Sequence, residues 1–271
     1  MTEQPLPQID YFNIKALSAS QVNTYLNKSP YHFWKQSPFN EKAESFEPTA
    51  SMKFGTLCHL MLLENEKFKD KYAVAPKCDR RTKEGKAVWD AFQQGAEGKE
   101  VVSEDDFVKA QNMMEALKGH QSALKLISKG YSESEVYFNL HDMPYKAKLD
   151  YARDGLIIDY KTSQDASPEG FMRSVAQYGY HRQDYIYRQA YKAKNGKDAV
   201  GMIFIVQDVN EPEAIGIYNL DDITRETAEA EVITATRQIK ERLASNQWEF
   251  TSKLVQSISL PNWYQSKAVS I

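Results

Sequence analysis

One stretch of thirteen residues limits the architecture more than any other: Asp150-Tyr151-Ala152-Arg153-Asp154-Gly155-Leu156-Ile157-Ile158-Asp159-Tyr160-Lys161-Thr162. Two largely apolar runs flank an Asp-Gly pair, the strongest short-range signal for a two-residue hairpin loop, because such loops favour residues that tolerate positive φ. With Asp154-Gly155 as the loop, Arg153 faces Leu156, and counting outward sets Asp150 opposite Asp159. Directly opposed residues hold their Cβ atoms about 4.5–5.5 Å apart. Asp159 and Lys161 lie two apart on one strand and project from one face, while Ile158 and Tyr160 point the other way.

One strand further back, the same counting adds a third carboxylate. Glu135–Leu140 reads as a strand and Tyr145–Asp150 as its partner, with His141-Asp142-Met143-Pro144 as a four-residue connection. Pairing Leu140 with Tyr145 sets Glu135 opposite Asp150, so Glu135, Asp150 and Asp159 form one row across three antiparallel strands. Opposed like charges destabilise a sheet, and a divalent cation held by carboxylate oxygens offsets the repulsion. Mg²⁺ suits such a row, since it is commonly held by one or two carboxylates and completes its shell with water and substrate phosphate oxygens. The competing reading is a solvated acidic face in which Lys148 and Lys161 form ordinary cross-strand salt bridges.

Asp150 followed by Asp159-Tyr160-Lys161 resembles the core of the PD-(D/E)XK nuclease superfamily, although no proline precedes Asp150. The flanks are similar to exonuclease VIII of the RecE type and its phage and prophage relatives. Those flanks are Leu17-Ser18-Ala19-Ser20 leading to Tyr25 and Pro30, then Phe54-Gly55-Thr56-Leu57-Cys58-His59, then Tyr180-His181-Arg182-Gln183 followed by Tyr187, and finally Leu260-Pro261-Asn262-Trp263. The resemblance runs from about Leu17 to Trp263 and is weak over Tyr72–Lys129. It implies an α/β fold with a restriction-endonuclease-like core, a central mixed sheet flanked by helices. It also implies a Mg²⁺-dependent phosphodiesterase, with Mn²⁺ as an alternative metal, in which Asp150, Asp159 and Lys161 are catalytic; Glu135, the third acid of the row, would orient a metal-bound water, bind a second ion or only balance Lys148. The Tyr160 carbonyl would be a further metal ligand.

Two more placements depend on that resemblance. His59 lies on an apolar helical stretch, where a lone histidine is usually a satisfied structural residue; the family pattern instead makes it a metal ligand. Gln183 and Tyr187 are four apart and share a helical face, which by itself suits a core stripe with Tyr180 and Tyr191. The family pattern places such a Gln-x-x-x-Tyr helix against the metal centre. His181, Arg182 and Arg173 are candidate phosphate contacts. So are Arg80 and Arg81, from a segment of five cations and two anions that could equally be a solvated loop.

The remaining elements read as an α/β sandwich. Ser18 or Ser20 caps a helix through about Asn27, Pro30 opens a short second one, and Ala50–Glu64 forms a mostly apolar third. Helical segments start near Pro168 and after Gly179, the latter stopping at Asn195-Gly196. Val200–Val206 suits a strand buried on both faces, Ala214–Leu220 a second strand, and Asp221–Asn246 a long amphipathic helix. The expectation is one nuclease domain over residues 1–271, with a core of about 17–263 and a helical insertion at about 65–129.

Composition sets limits on partners. The 271 residues carry a net charge of −3, which argues against a uniformly basic nucleic-acid binder and leaves only local basic patches. Two cysteines, Cys58 and Cys78, suit a reducing cytoplasm and are too few for a four-cysteine iron–sulfur cluster. No apolar run suggests a membrane span, and the expected setting is the cytoplasm of a bacterium or phage-infected host. The resemblance further implies action on double-stranded DNA ends, 5′-to-3′ degradation that leaves 3′ single strands, a single-strand annealing partner, and a ring-like homo-oligomer, trimeric or tetrameric. An endonuclease or nickase of the same superfamily and a non-catalytic DNA-binding recombination module are the alternatives.

Overall fold

The computed structural model describes Tyr11, residues 14–249, Val255 and residues 257–260. Pro261, Asn262 and Trp263 of the final motif lie outside the described residues.

Five strands form the central sheet: β3 (Tyr131–Leu140), β4 (Met143–Arg153), β5 (Leu156–Ser163), β6 (Gly201–Asp208) and β7 (Ile215–Tyr218). They lie in sequence order, antiparallel throughout except for the parallel β5–β6 pair. A parallel pair needs a crossover. Here α8 (Pro168–Tyr178) and α9 (Tyr180–Asn195) supply it. The two helices are separated by Gly179, whose φ of 70° falls in the left-handed region. A Cβ there would stand 2.1 Å from Asn23 Oδ1, so glycine also allows the close approach of α1 (Ala19–Asn27).

Alternation along the strands sorts side chains onto the two faces. Ile157, Phe204 and Val206 pack with Phe171, Val175 and Ala190 of α8 and α9. Ile158, Tyr160 and Ile205 face the opposite layer, built from α3 (Ala50–Leu63) and α6 (Glu104–Gly119). The apolar run of β6 is thus buried on both sides, as its lack of polar alternation predicts. A third cluster joins α1, α2 (Pro30–Lys35), α9 and the long α10 (Asp222–Ser245) around Leu17, Tyr145 and Trp248.

The segment expected to be a helical insertion carries α4 (Phe68–Lys71), α5 (Lys83–Gly95), α6 and α7 (Gln121–Leu126). It also holds a parallel two-stranded sheet of β1 (Tyr72–Ala75) and β2 (Glu100–Ser103). Tyr72, Val102 and Met113 from this segment share one core with Leu57 and Tyr160. No helix among the described residues is long and apolar enough to cross a membrane.

Candidate metal centre

The Asp-Gly hairpin forms as its residues dictate. Asp154 and Gly155 adopt φ of 46° and 87°, and Arg153 pairs with Leu156, Ala152 with Ile157 and Tyr151 with Ile158. The β4–β5 ladder stops there, while β5 continues along β6 as far as Ser163. The two strands therefore fork at the next position outward, which holds Asp150 and Asp159. Asp150 Oδ2 accepts a hydrogen bond of 3.1 Å from the Tyr160 backbone N–H, so this carboxylate bridges the fork.

The β3–β4 register differs from the expected one by two residues. Leu140 pairs with Met143 rather than Tyr145, and Glu135 pairs with Lys148 rather than Asp150. The cause is a tight two-residue turn at His141 and Asp142, with φ of 49° and 58°, in place of the four-residue connection. A shift of two preserves which face each residue occupies, and between the pairs Ser132–Tyr151 and Ser134–Leu149 the register brings Glu133, in place of Glu135, level with Asp150. Glu135 is exposed and accepts instead from the Tyr137 hydroxyl at 2.8 Å. Glu133 has a φ of 52°, a left-handed conformation that costs a non-glycine residue about 1–2 kcal/mol and here falls inside a strand rather than at a turn.

His59 completes the group from the other layer. Its Nδ1 lies 3.3 Å from Asp150 Oδ2, and its ring meets the Tyr160 ring edge-on at 5.4 Å between centroids. One donor atom each from His59, Glu133 and Asp150 falls within 4.8 Å of the others. Burial and the nearby Lys161 ammonium hold the imidazole below its ordinary pKa, so it is neutral and able to ligate at neutral pH. Burial and the like charge of Asp159 push the Asp150 carboxyl well above the usual range. Two carboxylates with a neutral imidazole form a donor set that can hold a divalent cation.

Asp159 is fully buried beside this group. Gln183 donates to its Oδ1 at 2.7 Å, and the Lys161 ammonium forms an ion pair with Oδ2, at an angle that leaves that oxygen without an aligned hydrogen bond. Burial works to deprotonate Lys161, but the charges of Asp159, Tyr180 and Asp150 outweigh it and raise its pKa. Lys161 Nζ also sits 4.8 Å from the Tyr180 ring centroid. Tyr187 lies one turn further along α9, and burial and the Asp150 and Asp159 charges keep its phenol protonated. The expected Gln183–Tyr187 stripe of α9 therefore does face the acidic group.

The expected phosphate contacts fare differently. His181 and Arg182 are buried, not presented to a ligand. His181 Nε2 lies 2.9 Å from Glu231 Oε2, and Arg182 reaches Glu231, Asn23 at 3.1 Å and Asn27 at 2.9 Å, tying α9 to α10 and α1. Packing against α1 and α10 turns these two side chains inward, which their sequence neighbourhood does not reveal. Arg173, Arg80 and Arg81 are exposed, with Arg173 held by Asp165, Arg81 by Asp79, and Arg80 stacked 3.5 Å over the Trp89 ring. Glu133 was not among the expected residues. The signal that could have found it is the strand-turn alternative at His141-Asp142.

The family model for a PDDEXK-like domain of unknown function (DUF3799) matches residues 18–260. A candidate exonuclease from Eubacterium rectale, known from its crystal structure, superposes with a TM-score of 0.62 at 15% identity, over 95% of this chain and 97% of that one. The structure of SSO0001 matches 71% of this chain and 85% of that one at 17% identity, with a TM-score of 0.29 too low to carry weight. No curated protein matches the sequence.

Proposed function

The chain belongs to the PDDEXK-like family, and from that premise we propose that it is a divalent-metal-dependent nuclease that hydrolyses phosphodiester bonds in DNA. The observation that carries this reading is the convergence of His59, Glu133 and Asp150 donor atoms within 4.8 Å, beside the Asp159–Lys161 pair. His59, Glu133 and Asp150 would hold the cation, with Asp159 and the Tyr160 carbonyl close at hand. A bound Mg²⁺ or Mn²⁺ supplies the charge that polarises a phosphate and acidifies a water.

The protein's own groups do the rest. Lys161, kept cationic by its acidic neighbours, directs its N–H groups at the nucleophile or at the developing charge on phosphate. Gln183 fixes the Asp159 carboxylate and so fixes Lys161. Tyr187 lies one turn beyond Gln183 on α9, with its phenol held protonated by burial and by the same acids. His59 stays neutral because of its burial and so offers a lone pair rather than a charge.

Within this reading, the preferred activity is removal of nucleotides from double-stranded DNA ends, 5′ to 3′, leaving 3′ single strands for an annealing protein. A ring-like homo-oligomer around the duplex and a cytoplasmic setting belong to the same proposal. What supports the exonuclease choice is the RecE-type pattern of His59, Asp150, Asp159, Lys161, Gln183 and Tyr187. The test is incubation of pure protein with linear duplex labelled at the 5′ or the 3′ end, with and without Mg²⁺, beside a closed circular plasmid. Metal-dependent release of 5′ label from the linear DNA, with the circle intact, is the expected result. Cutting of the circle would replace it with an endonuclease, and binding without release would replace it with a non-catalytic module.

A further inference from the structure

Beside the metal centre lies a group of charges that the hydrolytic reading leaves unused. Lys148 precedes Asp150 by two residues on β4, shares its face, and forms an ion pair with Glu133. Lys67 and Lys71 follow α3, the helix that carries His59, and converge on the nearly buried Glu64 carboxylate, Lys71 at 3.6 Å. The two pairs are one electrostatic group, since Lys148 acts on Glu64 and Glu133 acts on Lys67. Burial pushes the Glu64 carboxyl up, but the hydrogen bond from Lys67 and the charge of Lys71 outweigh it and keep it ionised.

The balance of this group depends on what Glu133 is doing. Three ammonium groups face two carboxylates, and one of those carboxylates is a candidate metal ligand. A cation drawing on Glu133 leaves three lysines against Glu64 alone. All three lysine side chains are about half exposed, at 50%, 52% and 41%, so they can turn to an anion in solution. Lysine meets phosphate as a point charge with rotatable donors, which suits a flexible backbone.

We propose that Lys67, Lys71 and Lys148 form a track for the phosphates of a nucleic-acid strand on the Glu133 flank of the metal centre. The proposal rests on the nuclease reading for the identity of the polyanion. Glu64 anchors the two lysines of the post-α3 turn, and Lys148 is released to phosphate as Glu133 takes up the cation. The track adjoins the scissile position without containing any group assigned to the chemistry itself.

The test is the salt dependence of binding to a short fluorescent duplex, read by anisotropy. It is run for wild type, Lys67→Gln/Lys71→Gln and Lys148→Gln, in EDTA and in Ca²⁺. Each lysine–phosphate contact contributes about 0.9 to the slope of log affinity against log salt. The double variant is expected to lose about 2 from that slope in both buffers, and Lys148→Gln about 1 in Ca²⁺ only. Lys67→Arg/Lys71→Arg restores the slope. Because the double variant leaves Glu64 without partners, its thermal unfolding is measured too, and if it is unfolded Lys148→Gln alone decides. Unchanged slopes in the folded variants overturn the track, even where wild type hydrolyses DNA. Reduced slopes with no hydrolysis by wild type overturn the nuclease reading and leave the track standing.

Discussion

Two histidines each sit beside a carboxylate, and the surroundings of the two pairs differ in sign. His59 lies against Asp150 at the strand fork, and His181 against Glu231 between α9 and α10. Arg182 also donates to Glu231, and its Nη1 is taken up by the amide oxygens of Asn23 and Asn27. Burial pushes the Glu231 carboxyl up, but Arg182 and His181 outweigh it, and its pKa falls. Around Asp150 the next charge is another carboxylate, and its pKa rises. A histidine–acid pair thus marks a structural joint where its charges close among themselves, and a candidate site where they do not.

The largest effects should fall beside the unbalanced pair, at the Asp159–Lys161 ion pair. Lys161→Ala or Asp159→Ala is expected to lower metal-dependent nucleotide release by about 10²–10⁴-fold, whereas Arg182→Met leaves the rate per folded molecule unchanged. Glu133→Gln should weaken metal dependence by about 10–100-fold in the Mg²⁺ titration of activity, with Glu135→Gln close to wild type. The reverse order would restore the register in which Glu135 faces Asp150. Arg182→Met should cost about 2 kcal/mol in urea unfolding, since it strips partners from the part-buried Glu231.

A smaller effect separates the two carboxylates by pH. The Glu231 pKa is depressed on folding, so its contribution to stability is present above the ordinary carboxylate value of 4.5 and lost as pH falls through the folded value. The Asp150 pKa is raised, so its contribution is full below the ordinary value of 3.8 and lost as pH rises through the folded value. In EDTA, Asp150→Asn should therefore raise the neutral-pH melting temperature and Glu231→Gln lower it. A fall with Asp150→Asn would mean that the fork is balanced after all. Least of all, Gly55→Ala should raise stability by about 0.5–1 kcal/mol, because alanine is the better helix former and its methyl would meet Thr162 Oγ1 at 3.4 Å. A large loss there would show α3 docking more tightly on β5 than this spacing allows.

Much of this arrangement was legible along the chain because it is local. Asp154-Gly155 sets the hairpin, and with it the opposition of Asp150 and Asp159 across the fork. The α8–α9 break at Gly179 and the doubly buried β6 follow from glycine and from apolar continuity. The β3–β4 turn is not legible in this way, because His141-Asp142 contains no glycine, and Pro144 looks like a residue of the loop rather than the strand. Next to a two-residue loop, however, Pro144 falls opposite Asn139 at a pair that exchanges no ladder hydrogen bonds, so its missing N–H costs β3 nothing. His181 and Arg182 were misplaced for another reason: the acid and amides that satisfy them come from α1 and α10, far away in sequence.

The separation of His59 from the hairpin along the chain has an outcome for biogenesis. The acids and Lys161 are brought together by neighbouring strands, but the imidazole arrives only when α3 settles onto the opposite face of the sheet. A newly made chain with its hairpin already formed would still lack one donor for the cation. On the proposed reading, cutting would therefore wait on the docking of α3 as well as on the hairpin.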